Sequence, residues 1–189
     1  MRIITGLLKG RIIDVPKNHK LRPTTGRAKE GIFSTIDSRR FLENARVLDL
    51  FAGTGNLGFE ALSRGASHAT FVDRDKYLLR RIEDYSREFE VSDQVSTRCA
   101  NVEEFLQGPP IPVDFIFCDP PYKYETFDPI LDPIFQNNWL NEGGWLIVEH
   151  NKYNRFEDHP NCYITKEYGR TLITIFNAET VDEDDKLLD

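Results

Sequence analysis

A strand that runs into a glycine-rich turn and out again into a helix constrains this chain more than any other feature. The run Ala45-Arg46-Val47-Leu48-Asp49-Leu50-Phe51-Ala52-Gly53-Thr54-Gly55-Asn56-Leu57-Gly58 sets an apolar segment, Val47 to Phe51, before three glycines spaced G-x-G-x-x-G. Leu57-Gly58-Phe59-Glu60-Ala61-Leu62 then continues as an amphipathic helix. Asp73 stands 20 residues after Gly53, at the end of a second apolar segment, Ala69-Thr70-Phe71-Val72. Glycines at these spacings permit a tight turn and close backbone approach to a ligand, and an acid after the second strand can accept from ribose hydroxyls. NAD, FAD and S-adenosylmethionine all satisfy that pattern.

From residue 45 onward the apolar periodicity predicts strands near 46–51, 69–73, 95–99, 113–118 and 144–149, with helices near 56–64, 75–89, 101–107 and 126–137. Such alternation predicts an α/β fold, a doubly wound parallel sheet covered on both faces. Tyr163–Tyr168 and Thr171–Phe176 flank Gly169-Arg170 and read as a C-terminal antiparallel hairpin. Residues 1–16 read as a β-hairpin, 17–25 as a polar loop in which Thr24 or Thr25 can cap a following helix, and 178–189 as an acidic, frayed tail. The expected organisation is a basic extension over 1–40, a catalytic domain over 41–177 and the tail.

Asp49 narrows the ligand. A carboxylate beside the glycine loop repels a pyrophosphate and attracts the ammonium and sulfonium of S-adenosylmethionine. Asp119-Pro120-Pro121-Tyr122 follows the apolar strand Val113–Cys118 and so sits at its carboxyl mouth, where ligands bind in open α/β sheets. Asp119 and the Pro120 carbonyl can accept both N–H bonds of a planar amine, and Tyr122 can stack on the ring that carries it. A proline-stiffened turn is the plainer reading of the tetrapeptide taken alone.

The chain has 189 residues, of which 40% are hydrophobic and 29% charged, which suits one soluble domain. Its net charge of −7 hides a division. Residues 1–40 carry ten Lys and Arg against three acids, whereas the remainder holds 14 basic and 28 acidic groups. A basic block on an acidic protein is a candidate phosphate-binding surface. Three cysteines without C-x-x-C spacing, and four histidines without ligand spacing, predict no disulfide and no metal site, and a reducing cytoplasm. Cys99 and Cys118 fall in apolar strand patterns and read as buried thiols. No run is long enough to span a membrane.

Several blocks resemble the RsmD-type small-subunit rRNA guanine-N2 methyltransferases. They are MRIITGLLKGR at 1–11, LRPTTGRAKEGIF at 21–33, VLDLFAGTGNLGFEALSRGA at 47–66, FVDRD at 71–75, DPPY at 119–122 and YGRTLITIF at 168–176. The resemblance implies a seven-stranded, Rossmann-like class I methyltransferase fold, S-adenosylmethionine as cofactor, and a guanine amine in a loop of 16S rRNA as target. It places Asp49, Gly53 and Gly55 at the methionine end and Asp73 at the ribose, with Phe51, Thr54, Arg74 and Val102 beside them. Asn101 stands where relatives often carry an Asp reaching the adenine amine, and its side-chain oxygen can accept that bond. Gly26 stands where an acid is common. Lys9, Arg11, Arg22, Thr24, Thr25 and Arg27 are the expected RNA contacts. A monomer acting on ribosomal RNA or the small subunit, without metal or membrane, is the implied setting.

Other functions fit parts of the pattern. DNA adenine-N6 or cytosine-N4 methyltransferases and enzymes modifying glutamine amides would use the same clamp. A nicotinamide-dependent oxidoreductase explains the glycines and leaves Asp119–Tyr122 idle. A non-catalytic RNA-binding module explains only the basic block.

Overall fold

Alternate residues along the central strands point into two separate cores. Val47, Phe115, Phe117, Trp145 and Ile147 enter one, and Leu48, Leu50, Ile116, Leu146 and Val148 the other. That period of two is what a sheet covered on both faces requires. In this computed structural model, which describes residues 1–16, 26–121 and 123–179, the strands are β1 (Arg46–Leu50), β2 (His68–Asp73), β3 (Val95–Cys99), β4 (Val113–Cys118), β5 (Leu140–His150), β6 (Cys162–Tyr168) and β7 (Thr171–Asn177). The helices are α1 (Gly26–Arg39), α2 (Asn56–Ser63), α3 (Lys76–Glu88), α4 (Val102–Leu106) and α5 (Asp128–Gln136).

The seven strands lie in the order β3-β2-β1-β4-β5-β7-β6. β1 to β5 pair in parallel, and β7 runs antiparallel to both β5 and β6. This is the expected Rossmann-like, doubly wound seven-stranded sheet with its reversed C-terminal hairpin. The order reverses between β1 and β4, which opens a crevice at their carboxyl ends. Asp49 pairs with Phe117 and Leu50 with Cys118, so Asp119 emerges beside the glycine loop.

β5 begins four residues before the expected 144. Gly143-Gly144 reads as a turn in sequence, yet the register against β4 jumps between Val113 and Phe115, and Gly143 has φ 67°. The two glycines make a β-bulge that carries the strand past the irregularity instead of ending it. Cys99 is exposed, contrary to its apolar setting, because β3 is an edge strand with its last two residues open to solvent.

The basic extension differs from the rest in composition but not in packing. Ile3, Leu8 and Ile13 of the N-terminal hairpin share a core with Ile32, Phe33 and Ile36 of α1 and with Phe59 of α2. A single bridge, Arg2 to Ile12, pairs the arms. At its turn, Leu7 N–H donates to the Ser63 carbonyl and Leu8 N–H to Ser63 Oγ. Gly6 admits no side chain, since a Cβ there would lie 1.6 Å from the Ser63 oxygen.

Glu60, fully buried on α2, holds this attachment. Its carboxylate accepts from the backbone N–H groups of Ile4 and Thr5, from Lys29 Nζ at 3.0 Å and from Arg64 Nε at 3.0 Å. Lys29 Nζ also donates to the Arg2 carbonyl and to Asn56 Oδ1. Burial lowers the Lys29 pKa, and the Glu60 carboxylate opposes that shift. Lys29 therefore belongs to the interior and not to a phosphate-binding face.

Candidate active site

A cavity of about 500 Å³ opens at the crevice between β1 and β4. Its floor is the glycine loop. Asp49 Oδ2 accepts the Gly58 N–H at 2.9 Å, fixing the start of α2 against the end of β1. A Cβ on Gly58 would stand 2.3 Å from the Phe71 ring and 3.1 Å from Asp49, so helix and strand approach this closely only through glycine. Asp73 Oδ2 accepts the Gly53 N–H at 2.8 Å and its Oδ1 accepts the Asp75 N–H at 2.9 Å, tying the loop to the end of β2. Gly53 and Gly55 have positive φ, and so does Phe51 at 55°. A non-glycine residue in that region stores roughly 1–3 kcal/mol of strain, a feature concentrated at functional sites.

Asp49, Asp73 and Asp119 line this one cavity, and Asp75, Glu103 and Glu149 line it as well. Burial, first of all, pushes the Asp49 carboxyl well above the usual range, and the charges of Asp119 and Asp73 push it further against the Gly58 N–H. Such a site stabilises a cation and repels a pyrophosphate. S-adenosylmethionine fits this donor set, and a dinucleotide does not.

Phe51, Tyr124 and Phe127 form an aromatic wall. Tyr124 meets Phe51 edge-on at 5.5 Å and Phe127 at 5.1 Å. Tyr124 Oη donates to Glu103 Oε1 at 2.6 Å, and Tyr124 N–H to the Pro121 carbonyl at 2.8 Å. The tyrosine thus joins the loop after β4 to α4. Burial, then the Glu103 bond, raises its pKa, so it stays a neutral donor.

Most of the expected residues meet in this cavity. Asp49, Phe51, Gly53, Thr54, Asp73, Arg74, Asn101 and Val102 line it, together with Asp119, Pro120 and Pro121. Gly55 sits outside the lining and serves as the N-cap of α2, with φ 79°. Tyr122 lies outside the described residues, as do Arg22, Thr24 and Thr25. Asn101, on the cavity wall, also caps α4: its Oδ1 accepts the N–H groups of Glu103 at 2.8 Å and Glu104 at 3.4 Å. An Asn before an amphipathic segment is a favoured cap, and this local bond engages the oxygen expected at adenine.

The expected RNA contacts are dispersed. The open end of the hairpin, Met1 and Val15, lines the cavity, whereas its turn packs at Ser63, the far end of α2. Lys9 and Arg11 lie toward that far end, and Arg11 rests over the Phe89 ring at 5.6 Å. Arg27 is exposed in the first turn of α1, two residues before the Lys29 bonded to Asn56.

Sequence reasoning missed the mouth of β5. Glu149, His150, Asn151 and Asn154 line the cavity beside Asp119, because Cys118 pairs with Val148. His150 Nε2 bonds Thr174 Oγ1 at 2.7 Å and its Nδ1 bonds the Asn151 carbonyl at 3.0 Å. Burial lowers its pKa, so the ring is neutral, with Nδ1–H donating and Nε2 accepting. With both nitrogens engaged it positions Asn151 and is no proton acceptor for a substrate. The carboxyl end of the apolar strand was the available signal.

Among the described residues no cluster of three or more His, Cys, Asp or Glu side chains is arranged to hold a metal ion, and no helix is long and apolar enough to cross a membrane.

The family model described as "Conserved hypothetical protein 95" matches residues 1–177. The chain belongs to this family, the RsmD-type class I methyltransferases. It is 36% identical to YlbH of Bacillus subtilis, over 93% of this chain and 98% of that one. It is 32% identical to "Ribosomal RNA small subunit methyltransferase D" of Haemophilus influenzae, over 92% and 91%. The solved structure of yhhF from Escherichia coli superimposes with a TM-score of 0.83 at 28% identity, covering 96% of this chain and 99% of that one.

The raised Asp49 pKa carries a prediction. A carboxyl whose folded-state pKa exceeds its unfolded value holds a proton in the folded chain over that interval, so its contribution to stability falls as pH rises through it. Asp49→Asn keeps an acceptor for Gly58 N–H and removes the charge. The ligand-free variant should be at least as stable as wild type near neutral pH, with a flatter stability–pH curve. Its affinity for S-adenosylmethionine should fall at least about tenfold, as expected for loss of a charged partner. Thermal melts across pH and calorimetry check the two halves.

Proposed function

We propose that this protein transfers a methyl group to the exocyclic N2 of a guanine in small-subunit ribosomal RNA. The cofactor is S-adenosylmethionine, which supplies an electrophilic methyl on a positively charged sulfur. The observation that carries the reading is the placement of Asp119-Pro120 on the same cavity as the cation-demanding Asp49.

The chain's own groups do the following. Asp49 faces the cationic end of the cofactor, and the second lone pairs of the Asp73 carboxylate take ribose hydroxyls. Guanine N2 is a poor nucleophile because its lone pair is delocalised into the ring. Asp119 and the Pro120 carbonyl accept its two N–H bonds, turning the lone pair toward the methyl, and Asp119 stabilises the charge that develops on nitrogen. Bound in this cavity, S-adenosylmethionine would supply the methyl, with the electron pair of the S–C bond leaving on sulfur as the N–C bond forms. The alkylated nitrogen is then acidic and sheds one proton to water. No strong base is needed, which agrees with a His150 whose nitrogens are both occupied. A base must leave its stack to enter this cavity, which favours a loop nucleotide. The named relatives support ribosomal RNA as the substrate class.

Ribosomal RNA from a strain lacking the gene, digested to nucleosides, should have lost one N2-methylguanosine per small subunit. Wild-type protein should restore it, and Asp119→Ala should not. An unchanged N2-methylguanosine content in the deletion strain would overturn the assignment.

A further inference from the structure

We infer that the turn after β5 is a stacking platform for the nucleotide next to the target base, with Tyr153 as its surface and Lys152 and Arg155 as its phosphate contacts. This rests on the proposed RNA substrate. The segment His150-Asn151-Lys152-Tyr153-Asn154-Arg155 follows β5 directly. Asn151 Oδ1 accepts the Tyr153 N–H at 2.8 Å and an Asn154 Nδ2 hydrogen at 3.4 Å, and Asn154 N–H donates to the Asn151 carbonyl at 3.2 Å. The same carbonyl takes His150 Nδ1, whose ring is held by Thr174. The turn is therefore anchored to the buried end of the sheet.

That geometry sorts its side chains. Asn151 and Asn154 face the cavity. Tyr153, between them in sequence, is 80% exposed, and Lys152 Nζ stands 5.7 Å from its ring centroid. Arg155 is exposed on the same turn. A single exposed aromatic needs no explanation by itself. Here it is carried by a fixed turn, flanked by two cations, and set beside the strand mouth where Asp119 would hold the target amine. A base drawn out of an RNA loop leaves its neighbours unstacked, and an aromatic face with adjacent cations is what single-stranded RNA binders present to such bases. The basic residues of the hairpin turn are remote from this mouth, whereas Lys152 and Arg155 adjoin it.

The test uses the full chain with small ribosomal subunits from a strain lacking the gene. Tyr153→Ala should raise KM for the subunits about 5- to 100-fold, the span of base–aromatic stacking, with kcat and S-adenosylmethionine affinity unchanged. Tyr153→Phe should behave as wild type, because stacking needs the ring. Lys152→Ala with Arg155→Ala should weaken binding and flatten its salt dependence. Phe41→Ala, at an equally exposed aromatic before β1, toward the amino ends of the strands and away from the cavity mouth, should change nothing. A benzophenone side chain at position 153 should crosslink to rRNA next to the methylated base. Wild-type KM in Tyr153→Ala, or crosslinking to a ribosomal protein alone, overturns the platform and leaves the proposed function standing. If wild-type protein methylates no RNA while the crosslink to rRNA still forms, the proposed function fails and the platform stands.

Discussion

Asp119→Ala should lower turnover by at least about a hundredfold while leaving affinity for S-adenosylmethionine within a few fold of wild type. The asymmetry follows from where the carboxylate acts. Its interaction with the target nitrogen strengthens as positive charge develops there, so its loss falls on the transition state. Its effect on the cofactor side is indirect and opposite in sign. Burial is the main cause of the raised Asp49 pKa and the Asp119 charge adds to it, so removing Asp119 eases ionisation of the group that faces the cation. Asp119→Asn should lie between, since an amide oxygen keeps one acceptor and loses the charge. Single-turnover kinetics with bound cofactor separate the chemical step from binding. A variant with near-normal chemistry would remove the amine clamp from the mechanism.

Glu60→Ala should destabilise the protein by about 3–5 kcal/mol, the cost of breaking a buried ion pair from one side. The substitution leaves the Lys29 ammonium buried beside Arg64, and strands the Ile4 and Thr5 N–H groups that the carboxylate satisfies. Lys29→Met should cost distinctly less, because Glu60 keeps Arg64 and both backbone donors. In Glu60→Ala the N-terminal hairpin should also become the first site of proteolytic cleavage. Denaturant titrations of the two variants give the ordering. Equal losses, or a loss below about 1 kcal/mol in Glu60→Ala, would mean that this network does not hold the hairpin.

The alternating sheet was legible because its signals are local. Short apolar runs bounded by turn residues mark β1, β2 and β4 to within a residue, and the glycine loop declares both its turn and its helix. β5 was shortened in sequence because Gly143-Gly144 has the composition of a turn, and only the partner strand β4 shows it to be a bulge. Asp49, Asp73 and Asp119 were legible for a topological reason: each sits at or just beyond the carboxyl end of a strand, and parallel strands bring those ends together.

What stayed hidden depends on contacts distant in sequence. That Asn101 caps α4 through Glu103 and Glu104 while lining the cavity shows only in the structure. The Tyr124–Glu103 bond spans 21 residues and carries no spacing signature. The partners of individual cations in the basic block are hidden for the same cause. Lys29 neutralises Glu60 in the interior, whereas the exposed Arg11 lies over Phe89 and Arg40 lies over Trp145. Charge counts do not distinguish a cation on an aromatic face from one that awaits a phosphate.

The central claim is that one cavity places the methyl of a cationic cofactor against a guanine amine. It is tested most directly by incubating purified protein with methyl-labelled S-adenosylmethionine and small subunits from the deletion strain, then resolving the digested nucleosides by mass spectrometry. The account predicts label in N2-methylguanosine alone, at about one methyl per subunit, and none with Asp119→Ala. Label in N6-methyladenosine, N4-methylcytidine or protein, with none in N2-methylguanosine, would contradict it.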